Sequence, residues 1–159
     1  MSESKNVNQQ YENIVNWLKK DPVCKVEEPS DDDNTVSIIN TSYFEDFKIS
    51  VYLYKTDSGR IEIISRPRLL TQEGKNLQNR TSPVINDFQS QLTMDLLKVG
   101  VFCSLQTNDE GNSIGLTLLY PLFFDNLTRE LFMQAMHTVA RACLITALEF
   151  DKFALDYQE

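Results

Sequence analysis

The chain has 159 residues, 42% of them hydrophobic and 24% charged, with 5 glycines and 5 prolines, a balance that excludes fibrous and disordered classes. At this length folding buries about 70% of the surface that an unfolded chain exposes, enough for a core without metal or disulfide staples. The net charge of -8 sets a mean field that repels phosphate backbones and anionic lipid, so nucleic acid is not an expected partner.

Cys24, Cys103 and Cys143 are odd in number and widely spaced, which argues against a disulfide framework or a zinc site and for reduced thiols in a cytoplasm. The first twenty residues lack the apolar centre of a signal peptide. Nor does any stretch reach the roughly 18 consecutive apolar residues of a spanning helix, so no membrane association is expected.

Residues 1–7 read as a polar tail. From about Asn8 to Lys20 the residues Tyr11, Ile14, Val15 and Leu18 recur at helical spacing, and Asp21-Pro22 stops the helix. Trp17, at the edge of that stripe, is a candidate partner anchor. Residues from about 21 to 34, with Glu27, Glu28, Asp31, Asp32 and Asp33, read as an exposed acidic linker that lacks the glycine and closing glutamate of a calcium loop.

Three strands are predicted next, the first over Val36–Thr41. In the second, Phe47, Ile49, Val51 and Leu53 alternate with Lys48, Ser50, Tyr52 and Tyr54. A Thr-Asp-Ser-Gly turn then returns the chain through Ile61 and Ile63 as a hairpin. The following stretch is locally basic, and Arg66, Arg68, Lys75 and Arg80 form a candidate anion-binding loop.

Ser82-Pro83 begins a second helix that runs to Gly100, with Ile85, Phe88, Leu92, Leu96 and Val99 on one side. A second hairpin follows, with Cys103 on its apolar side as a core residue. Thr128 is placed to cap the last helix, whose core face carries Phe132, Ala135, Met136, Val139, Cys143, Thr146, Ala147 and Phe150. His137 falls on the outer face beside Arg141, without the spacing of a metal or catalytic motif. Farther along, that face turns apolar through Leu144, Ile145 and Leu148. A helix apolar on both sides needs cover on both, either from the sheet and a second helix or from a second copy of the chain.

The expected fold is α+β, a single domain over 1–159 in the order α-β-β-β-α-β-β-α, with an antiparallel five-stranded sheet packed with helices. With "SPVINDFQSQLTMDLL" between the strand groups and "DNLTRELFMQAMHTV" opening the last helix, the chain resembles the type III secretion chaperone-like superfamily, in particular its YbjN-like uncharacterised prokaryotic relatives. The resemblance implies a compact α+β fold, frequent dimerisation and a role in holding another protein, with no catalytic residues to transfer.

The functional expectation is a non-enzymatic, cofactor-free, cytoplasmic protein-binding module. It would act as a homodimer on an unidentified protein client, through Trp17, Arg141, Leu144, Ile145 and Leu148 or by strand addition at a sheet edge. The alternative is a small-ligand sensor in which Tyr120, Phe123, Phe124 and the basic loop line a pocket.

Overall fold

Alternation in residues 36–65 builds the centre of the molecule, seen in a computed structural model that describes residues 3–27, 36–44, 46–55, 59–67, 82–107 and 113–156. The first helix, α1 (Glu3–Lys19), precedes four strands: β1 (Cys24–Val26), β2 (Val36–Tyr43), β3 (Phe47–Tyr54) and β4 (Arg60–Ser65). Then come α2 (Ser82–Lys98), β5 (Phe102–Thr107), β6 (Ser113–Phe123), a 3-10 turn and α3 (Arg129–Asp156). The strands form one antiparallel sheet in the order β1-β2-β3-β4-β6-β5.

The α+β class and the order of the longer elements agree with the sequence reading. Among the described residues the sheet has six strands, not five. The additional one, β1, lies inside the stretch expected to be an open linker, where Cys24 pairs with Tyr43 and Val26 with Thr41. Three residues carry too little periodicity to announce a strand; the far end of β2 makes it one. The polar tail is also shorter than expected, because α1 starts at Glu3 and Val7, 4% exposed, joins the core below Ile14 and Leu18.

The three described helices contribute to one core over one face of the sheet. From the strands it takes Ile39, Ile49, Val51, Leu53, Ile61, Ile63, Leu116 and Leu118, and from the helices Leu92, Leu96, Phe132, Met136 and Val139. Two buried hydroxyls there are bonded: Ser65 Oγ donates to Lys48 O at 2.8 Å and Thr146 Oγ1 to Ala142 O at 2.8 Å. Ala147, expected in the core, is exposed.

The opposite face is a lattice of polar and aromatic side chains. Ser50 Oγ donates to Asn40 Oδ1 at 2.6 Å, and Lys48 pairs with Glu27. Tyr54 OH donates to Glu62 Oε2 at 2.6 Å, while Arg60 pairs with the same carboxylate and lies over the Tyr54 ring. These partners account for the 5% exposure of Glu62, since a buried carboxylate needs both charge and hydrogen-bond compensation.

Helix ends follow local chemistry. At α2, Gly100 takes φ 83°, with Val101 N–H donating to Leu96 O and Gly100 N–H to Leu97 O, both at 3.0 Å, the left-handed cap that only glycine adopts without strain. At α3, Leu131 N–H donates to Thr128 Oγ1 at 3.2 Å, so the predicted N-cap is in place. The window Arg129–Phe153 is long and apolar enough, by length and composition, to cross a bilayer, yet 50% of it is buried within the protein, as in a core helix.

Candidate functional site

Two features meet on the outer side of α3, a polar cleft along its first half and an apolar strip beyond it. The cleft encloses about 790 Å³ between the end of α1 and α3, and its walls include Lys20, Asp21, Arg129, Glu130, His137 and Arg141. Asp21 is held there by its sequence context. Pro22 cannot continue the helix, and Asp21 Oδ1 accepts from Val23 N–H at 2.9 Å in a side-chain-closed turn.

The second carboxylate oxygen of Asp21 accepts from Tyr43 OH at 3.4 Å and lies 3.5 Å from His137 Nε2. The Asp21 side chain is 10% exposed and that of His137 58%. The imidazole therefore sits at the rim of the cleft, on the outer face as expected, against Asp21. Burial, reinforced by the charge of Asp21, pushes the Tyr43 phenol well above its ordinary range. Three cations, Lys20, Arg129 and Arg141, face two carboxylates, Asp21 and Glu130, so the cleft is locally positive on an acidic chain.

The three thiols of the chain lie in environments that disfavour the thiolate. Burial pushes the Cys24 thiol up from 9.0 to about 11, a hydrogen bond with Thr41 opposing and Asp21 adding to the shift. Burial likewise raises Cys103 and Cys143. An activated thiolate needs the reverse, a depressed value beside a cation. Among the described residues no three His, Cys, Asp or Glu side chains gather closely enough to hold a metal ion.

These thiols yield a direct test. At pH 8 the folded chain should react with iodoacetamide at least about tenfold more slowly than the urea-unfolded chain, as followed by mass spectrometry; equal rates would show that the thiols are not shielded. The folded pKa of Cys24 lies above its unfolded value, so its contribution to stability is complete below about pH 9 and fades as the pH climbs towards 11.

The apolar strip lies past Arg141. Leu144 is 50% exposed and Leu148 57%, so neither is covered by the rest of the described chain, whereas Ile145 is half-buried against the core. Arg141 is exposed at the junction of cleft and strip. Trp17 turns inward, with its ring centroid 5.8 Å from that of Phe132, which leaves only part of the indole for a partner.

Arg66 donates to Tyr52 OH at 3.5 Å on the polar face of the sheet; Arg68, Lys75 and Arg80 lie outside the described residues. Tyr120 packs on the core and Phe124 is buried, while Phe123 is 62% exposed. The cleft itself was not anticipated from the sequence, since Asp21 and His137 meet only through the packing of α1 on α3; the Asp-Pro pair was the one local signal.

No curated protein matches the sequence. The fold is similar to that in the crystal structure of an uncharacterized protein from Methanothermobacter thermautotrophicus, with a TM-score of 0.76 at 19% identity over 89% of this chain and 97% of that one. The family model described as "Uncharacterized conserved protein (DUF2299)" matches residues 10–150, and the chain accordingly belongs to the DUF2299 family.

Proposed function

We propose that this chain is a non-enzymatic protein-binding module, chaperone- or adaptor-like, that acts in the cytoplasm as a homodimer. One observation carries the reading: Leu144 and Leu148 stand 50% and 57% exposed one helical turn apart. Adjacent large apolar side chains held in water on a rigid helix are an interaction surface in search of cover. The finer kinship, with type III secretion chaperone-like and YbjN-like proteins, belongs to the same proposal and rests on element order. For an extended client segment β5 is an edge of the described sheet, and Phe102, 53% exposed there, offers a side-chain contact beside the backbone donors.

Light scattering across a concentration series is expected to show twice the mass of one chain. Leu144→Glu with Leu148→Glu should return it to the mass of one chain while leaving the melting temperature within a few degrees, because exposed positions contribute about 0.5 kcal/mol or less to folding. A wild-type chain that stays single at high concentration would remove the dimer from the proposal. The second reading, a ligand sensor, draws on the cleft beside His137, and a metabolite that raises the melting temperature of a single chain would favour it.

A further inference from the structure

His137, Arg141, Leu144, Leu148 and Asp151 succeed one another along α3 at intervals of four, three, four and three residues. That interval keeps side chains in one line when two helices lie side by side. The line faces outward: the two leucines are half exposed, and His137, Arg141 and Asp151 are classed with the exposed residues. Among the described residues neither Arg141 nor Asp151 has an ion-pair partner.

The order of charges along the line selects a geometry. In a parallel pair of these helices Arg141 would face the partner's Arg141 and Asp151 the partner's Asp151, two like-charge contacts around an apolar centre. Turned antiparallel, with a two-fold axis crossing at the level of Thr146, the helix sets Leu144 against the partner's Leu148 and Arg141 against the partner's Asp151. Symmetry repeats both contacts, so each copy supplies what the other lacks, as a two-fold interface requires.

We infer that the occupant of this strip is a second copy of the chain, docked antiparallel along α3 with Leu144 and Leu148 at the centre and an Arg141 to Asp151 ion pair at each end. The seam from Arg141 to Asp151 spans about 15 Å at 1.5 Å per residue. This inference rests on the homodimer proposed above and adds its register and direction.

Charge exchange tests it without touching the core. Arg141→Asp places two acids at each end of the seam and Asp151→Arg two bases, so each single variant should dimerise at least about tenfold more weakly than the wild type. The double variant restores opposite charges and should recover the wild-type dissociation constant. The sharpest outcome comes from mixing the two singles, because one then carries only acids at these positions and the other only bases. A one-to-one heterodimer should form from two chains that separately dissociate, as read by native mass spectrometry with one chain isotope-labelled.

Failure of this inference and failure of the homodimer separate cleanly. A wild-type dimer whose single variants remain dimers, or whose double variant stays as weak as the singles, overturns the antiparallel pairing and leaves the homodimer standing. A wild-type chain that never dimerises overturns both. Far-UV circular dichroism on all three variants confirms folding, which substitutions at exposed positions should leave intact.

Discussion

Phe132→Ala is expected to cost about 3–5 kcal/mol of folding stability, the range for emptying a buried aromatic site. Phe132 has 0% exposure and stacks at 5.8 Å against Trp17, which joins the first turns of α3 to the end of α1. It also sits where α3 begins, its N–H donating to Thr128 O at 3.0 Å. Removing the ring leaves a void between two helices that are both anchored on the sheet, so collapse into the space is restricted. Urea unfolding followed by the fluorescence of the single tryptophan reports on the same contact. Against a typical total of about 5–15 kcal/mol, the midpoint should fall steeply and native emission should shift to the red. A loss under about 1 kcal/mol would mean that the helices close over the gap and that the ring does not hold them apart.

Asp21→Ala should be the next most damaging change, at about 2–4 kcal/mol, because it removes one acceptor group from two donors at once. Val23 N–H at 2.9 Å and Tyr43 OH at 3.4 Å both point at this carboxylate, and Tyr43 is 0% exposed. Asp21→Asn keeps an acceptor and should lose less. The pair also separates structure from charge. Tyr43 is held above its ordinary range first by burial and then by Asp21, so in either variant its ionisation should move back downward yet remain raised, as ultraviolet titration would show. Stability within about 0.5 kcal/mol of wild type for the alanine variant would contradict the role given to this carboxylate.

What could be read from the residues was whatever is decided locally. Thr128 with Leu127 before it and Phe132 after it, or Ser82 with Pro83, marks a helix start whatever the rest of the chain does. The alternation of Phe47 to Tyr54 leaves one choice of buried face. The stripe of α1 was present too, since Val7 precedes Tyr11, Ile14 and Leu18 at spacings of four, three and four, but the polar residues around it concealed the first turn. Non-local pairing was not legible: β1 exists because Tyr43 and Thr41 lie opposite Cys24 and Val26, and the cleft because α1 delivers Asp21 to His137. The exposed strip stood between these cases. Helical geometry placed Leu144 and Leu148 away from the core, and only the packed structure could establish that no described residue shelters them.

The brevity of β1 has a consequence for solubility. It covers the last three residues of β2, an eight-residue strand with the sequence VSIINTSY, whose β-branched residues, lack of charge and lack of proline are the composition that stacks into fibrils when left unpaired. A three-residue guard with Lys25 at its middle, pairing with the last residues of β2, occupies that boundary yet is too short and too charged to recruit another sheet itself. The three residues at the head of what seemed to be mere connection thus serve as a selvedge for that end of the sheet, keeping it from growing sideways into its neighbours at the concentrations of a crowded cell.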